Sequence, residues 1–189
     1  MTTILETKKA VTNGLNVQVM HNVLESVKRD TALAHTAWGV TTRWLGGAVS
    51  ETEVTGCEIS GKRIERRFRF RADEPLQLGG TNLNPNPREL LMGALNSCMV
   101  VGYVALSTMF GVELESLEIS CAGEIDLRGF LGLDKNVKPG YDEIHYTVRI
   151  KGNGTPEQFK EIHEKVIATS PNRFNISQPV KLTSELIVE

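Results

Sequence analysis

The residues in this chain best suited to covalent chemistry are its three cysteines, Cys57, Cys98 and Cys121, because a thiolate is a strong nucleophile wherever a cation or helix terminus stabilises it. They lie far apart, with no Cys-x-x-Cys spacing. An odd number of cysteines behind no visible secretory leader is expected to be free thiols in a reducing cytoplasm. The four histidines, His21, His35, His145 and His163, are also scattered. None forms a His-x-His or His-Glu-x-x-His pair, so neither a metal nor another cofactor is expected. The remaining chemical feature is the run KRIERRFRFR, which places Arg63, Glu65, Arg67, Arg69 and Arg71 on one side of a strand and Ile64, Phe68 and Phe70 on the other. Such a face could hold an anion, but a solvated or inter-strand face is the simpler expectation. A formal charge of −2 and a pI near 6.1 exclude nucleic acid or an anionic membrane as a partner, since either calls for a basic surplus.

Cys98 stands out by its position. Asn86 is suited to cap a helix, Pro87 to open it, and Glu89 to close a capping box. The helix then runs to about Phe110, and Gly111 ends it. Leu90, Leu91, Met92, Leu95, Cys98, Met99, Val101, Val104 and Met109 make it apolar on nearly every face, so it must be central and packed against a sheet and a second chain. Its most apolar stretch, from Leu90 to Ala105, falls short of the roughly 20 residues of a bilayer span. Cys98 lies about three turns inside, beyond the reach of the helix dipole, so any activation depends on a side chain. Arg88 and Arg43 are the available cations, and Arg88 lies about 15 Å away along the same helix. Cys57 and Cys121 occupy apolar strand faces and are expected in the core. His145 and His163 are expected on solvated faces, without a role.

The other elements follow from periodicity. Val17, Met20, Leu24 and Val27 predict an amphipathic helix over about 15–29. Residues from about 34 to 71 alternate as a β-meander, broken at Gly46-Gly47 and turned at Ser60-Gly61. LESLEISCAG and EIHYTVRIK read as two strands flanking a glycine-rich loop. Thr155-Pro156-Glu157-Gln158 opens a second capped helix that Ser170-Pro171 stops, and VKLTSELIVE reads as a closing strand. Strands grouped around two separated helices indicate the α+β class. An apolar share of 40% against 23% charged residues supports a globular fold, divided into an N-terminal helical extension over 1–33 and one domain over 34–189.

NPNPRELLMGALNSC with its long apolar helix, preceded by DEPLQLGGTNLNPNP and followed by DLRGFLGLDKNVKPGYDEI and ATSPNRFNISQPVKL, resembles the osmotically inducible protein C (OsmC)/organic hydroperoxide resistance family over about residues 34–189. The resemblance implies an OsmC-like fold, a β-meander plus two central helices in an intertwined homodimer. Its interface is expected to exceed about 2,000 Å². It also implies reduction of organic hydroperoxides by a cysteine pair, with Cys98 at the attacking position. The resolving cysteine belongs before Pro171, where this chain has Ser170. The family's hydroperoxide reducers carry a glutamate ten residues before the attacking cysteine and an arginine near the early Gly-Gly. This chain has Arg88 at the first position, and Glu51 follows its Gly46-Gly47, so the resemblance implies an exchanged pair in which Arg88 faces Glu51.

Two functions stay open at this point. One is a one-cysteine thiol peroxidase, with Cys98, Arg88 and Glu51 at the site, a small hydroperoxide as substrate and an external thiol as reductant. The other is a non-catalytic protein whose dimer interface binds an apolar ligand, with Cys98 lining it.

Overall fold

The computed structural model describes residues 11–189, so the first ten residues of the extension expected over 1–33 lie outside the described residues. The described chain falls into two compact units that divide after Gly93.

The first unit is built mainly from alternating residues. A short hairpin, β1 (Val11–Thr12) and β2 (Leu15–Asn16), leads into α1 (Val17–Arg29), whose first turn is capped by the Asn16 side chain accepting from the Val19 N–H. The meander follows as β3 (Thr36–Trp38), β4 (Thr41–Gly46), β5 (Val49–Ile59) and β6 (Lys62–Ala72). Its central strand β5 pairs antiparallel with β3 and β4 along one edge and with β6 along the other. Ser60 and Gly61 both take positive φ, +52° and +73°, as a tight hairpin requires.

The register divides this sheet by chemistry. Trp44 lies opposite Ser50, Thr52 opposite Phe70, and Val54 opposite Phe68, while Glu51 opposes Arg71 and Glu53 opposes Arg69. Two steps along β5, from Val54 to Gly56, match three along β6, from Phe68 to Glu65. The extra residue lies in β6 and inverts the alternation, because side chains swap faces at every residue. Ile64 therefore sits opposite Cys57 and leaves the row of Phe68 and Phe70 that simple alternation predicts.

The chain then enters a loop organised by one buried carboxylate. Asp73 accepts from the N–H groups of Glu74, Thr81 and Leu83 and from the Thr81 hydroxyl, at 2.5–3.2 Å. The Thr81 hydroxyl contributes most to holding its pKa down to about 2, with the three backbone donors adding to it.

At the loop's end α2 (Pro87–Met109) begins as the local sequence predicts. The Asn86 side chain accepts from the N–H groups of Arg88 (2.7 Å) and Glu89 (3.4 Å), and Glu89 accepts from the Asn86 N–H at 2.7 Å. Gly111, at φ +70°, turns the chain out of the helix, and the Val112 N–H closes on the Ser107 carbonyl. At 23 residues the helix is long and apolar enough, by length and composition, to cross a membrane; the shorter stretch read from the sequence understated it. It nevertheless supplies Leu95, Met99 and Tyr103 to a protein core.

The second unit carries that core. Strands β7 (Leu114–Gly123) and β8 (Ile144–Gly152) pair antiparallel, with Leu117, Ile119 and Cys121 opposite Ile150, Val148 and Tyr146. The short helix α3 (Leu127–Phe130) lies in the glycine-rich loop between them. Helix α4 (Pro156–Thr169) opens with the full capping box expected of Thr155 and Gln158, and adds Ile162 and Val166 to the core. Pro171 does not simply stop this helix. Having no N–H to leave unpaired, it also begins a second one, α5 (Pro171–Ser177). The strand expected over VKLTSELIVE is not formed: residues 178–189 hold no regular element, and Leu182 is 90% exposed. An alternating pattern makes a strand only beside another strand, and among the described residues none pairs with this segment.

Candidate active site

Cys98 sits midway along α2, one turn beyond Leu95 and Ala94, and is partly exposed. The neighbour that matters most comes from the joint between α4 and α5. Ser170 donates its hydroxyl to the Cys98 sulfur at 3.5 Å and is itself buried. Its backbone N–H closes α4 on the Val166 carbonyl, and its carbonyl accepts from the Phe174 N–H in α5. As the residue preceding α5 it makes no side-chain cap, its hydroxyl being turned to the sulfur instead. Asn172 fixes the same contact by donating to the Ala94 carbonyl at 2.9 Å.

Arg173 follows on α5 and escaped the sequence reading. Its Nε donates to the Tyr146 hydroxyl at 3.2 Å and a terminal nitrogen donates to the Ile167 carbonyl at 3.1 Å. It is partly buried and, among the described residues, makes no ion pair. With Leu95, Tyr146 and Ile176 it lines a cleft of about 350 Å³. Nothing local in SPNRFN marks it, because its partners lie on other elements.

The remaining expected site residues are engaged elsewhere, in the first unit. Arg88 donates to Glu74 at 3.0 Å, and Glu74 also accepts from the Asn86 side chain at 2.7 Å. Glu51 pairs with Arg71 at 3.0 Å. The two residues expected to face each other thus have different partners. Glu53 binds Arg69 at 3.0 Å and Arg43 at 3.1 Å, and those two bonds, Arg69's foremost, hold its carboxyl below the ordinary range. Arg69 and Arg71, with Arg43, thus form inter-strand ion pairs, whereas Arg67 reaches only Glu65 of its own strand at 4.0 Å, and Arg63 and Glu65, opposite Glu58 and Gly56, leave the expected face at the extra residue in β6. Cys57 is buried in the sheet and Cys121 partly buried on β7. His163 corrects its own expectation: its Nδ1 is hydrogen-bonded to the hydroxyl of the fully buried Tyr103, and the two rings stack at 6.0 Å between centroids.

The sequence of residues 80–185, more than half of the chain, matches the model of the OsmC-like protein family. The chain belongs to the OsmC-like family. Solved structures agree in fold. An OsmC-like protein from Mycoplasma pneumoniae is 14% identical and superposes with a TM-score of 0.59 over 74% of this chain and 86% of that one. A putative osmotic stress induced and detoxification response protein from Psychrobacter arcticus is 12% identical, with a TM-score of 0.53 over 71% of this chain and 84% of that one. An OsmC-like protein of unknown function from Vibrio cholerae is 13% identical, with a TM-score of 0.51 over 72% of this chain and 90% of that one. At these identities the likeness is one of fold. No curated protein sequence matches this OsmC-like chain significantly.

Proposed function

We propose that this OsmC-like protein is a one-cysteine, thiol-dependent peroxidase acting on small organic hydroperoxides. The observation that carries the reading is the Ser170 hydroxyl 3.5 Å from the Cys98 sulfur. A hydroxyl there can donate a hydrogen bond to a thiolate but cannot form a disulfide with it. In the proposed reaction the Cys98 thiolate attacks one peroxide oxygen, an S–O bond forms as the O–O bond breaks, and the departing alkoxide takes up a proton to leave as the alcohol. An external thiol then displaces water from the sulfenic acid, and a second thiol releases Cys98 and leaves as the oxidised disulfide. A cation near the alkoxide would favour the first step. Arg88 and Arg173 are the candidates. Asp142 and Glu143 line the Arg173 cleft, but among the described residues neither forms an ion pair with Arg173, whereas Arg88 is bound to Glu74, so Arg173→Ala is expected to lower turnover more than Arg88→Ala.

The protein is proposed to work in the cytoplasm as a homodimer. Support comes from the exposed aromatic row of the meander and the unpaired segment 178–189, both of which a second copy could cover. Light scattering that finds a stable folded monomer at micromolar concentration would refute the assembly.

The chemistry is tested by mass spectrometry after mild cumene hydroperoxide treatment in the presence of a sulfenate probe. The native chain is expected to yield a probe adduct on Cys98, and Ser170→Cys an intramolecular disulfide between positions 98 and 170. A main product joining Cys98 to Cys57 or Cys121, or an unreacted Cys98, would sink the proposal.

A further inference from the structure

A second cleft, of about 560 Å³, lies in the C-terminal unit between β8 and α4, within the size range of small-molecule sites. Cys98 does not line it. Ile144, Val148 and Ile150 of β8 and Phe159 of α4 give it apolar walls. Beside Tyr103 and Tyr146, its polar lining comes from His145, Lys160 and His163, and no aspartate or glutamate contributes.

His163 is tied to α2 through one ring nitrogen. Burial, with Tyr146 adding to it, pushes the Tyr103 phenol up to about 12, and its hydroxyl shares a hydrogen bond with Nδ1 of His163. With Nδ1 engaged in that bond, Nε2 is the ring nitrogen left to meet a ligand, and it is a donor whenever Nδ1 accepts from Tyr103. Lys160 is exposed at the cleft and makes no ion pair among the described residues, whereas Lys165 on the same helix is engaged by Glu161. Donors of one sign beside aliphatic walls are complementary to a molecule with an apolar body and a single negative head.

We propose that the cleft between β8 and α4 binds an apolar monocarboxylate, its body against Ile144, Val148, Ile150 and Phe159 and its carboxylate at Lys160 and His163. The site is separate from the cysteine and does not rest on the peroxidase reading. Isothermal titration of the intact protein with decanoate, decanol and decylamine, each as monomer, tests it. Decanoate is expected to saturate one site per chain and to bind about tenfold or more tightly than decylamine, with decanol between them. Lys160→Glu, an exposed substitution that leaves the core intact, is expected to weaken decanoate about tenfold, and Cys98→Ser to leave it unchanged. Equal binding of the three probes, absence of saturable decanoate binding, undiminished binding by Lys160→Glu, or loss of binding in Cys98→Ser would each overturn the proposal.

Discussion

The two units differ in how completely they bury what they carry. In the C-terminal unit Met99 and Ile162 are inaccessible to solvent, and Tyr103, Val112 and Val166 nearly so. Among the described residues of the N-terminal unit Cys57 and Ala72 are the buried apolar ones, while Trp44 is 76% and Phe68 55% exposed. The C-terminal unit has four inward-facing surfaces, from α2, α4, β7 and β8, that converge on one cluster. The meander has an ion lattice on one face and an aromatic row on the other. A sheet stabilises itself by burying one face, so a meander in this state is unfinished. The difference separates residues packed within the C-terminal unit from residues left at the surface of the meander.

The largest effect should fall in the closed core. Ile162→Ala is expected to lose about 2–5 kcal/mol in urea denaturation, because the packing on all sides leaves a cavity that cannot collapse. A loss below about 1 kcal/mol would show this core to be looser than its burial indicates. Next come Trp44→Ala and Phe68→Ala. If a second copy covers the aromatic row, their cost should grow as protein concentration is raised through the dissociation constant of the dimer, because only the associated chain gains from the row. A small, concentration-independent change would leave the row free and break the comparison at its open end.

A weaker effect is expected at acid pH. The Asp73 carboxyl titrates near 3.8 when unfolded and near 2 in the fold, so its contribution is complete above about pH 4 and is lost as pH falls through about 2. Urea melts at a pH of about 5 and again at about 2.5 should show this loss in the native chain and its absence in Asp73→Asn. Smallest of all should be Glu53→Gln in the exposed lattice, where Arg69 keeps Glu51 as a neighbour at 4.0 Å and Arg43 returns to water. A melting temperature that moves with this substitution as much as with Ile162→Ala would overturn the ranking.

What the sequence made legible was what neighbouring residues decide. Asn86, Pro87 and Glu89 specify the start of α2 within four positions, and Thr155 with Gln158 does the same for α4, since caps are local contacts. The arginine alternation was readable as inter-strand pairing, but partner identity depends on register, which the extra residue in β6 alters. The bond from Tyr103 to His163 spans sixty positions and obeys no helical or strand spacing, so nothing in the sequence marked His163. The contact from Ser170 to Cys98 spans seventy-two. It became visible only through family resemblance, which placed the resolving position without saying what the serine would touch. The closing strand failed for the complementary reason, because its pattern was correct for a strand but the partner was missing.

Residue 170 ends one helix, begins another and touches the sulfur, all from a buried position. A side chain there has to stay small, and serine and cysteine differ by a single atom, oxygen for sulfur. Over evolutionary time a lineage could therefore gain or lose an internal disulfide partner by one exchange, with the joint, the caps and the core above it undisturbed. Two descendants of such a scaffold would be nearly superimposable and yet differ in whether these two positions can be bridged.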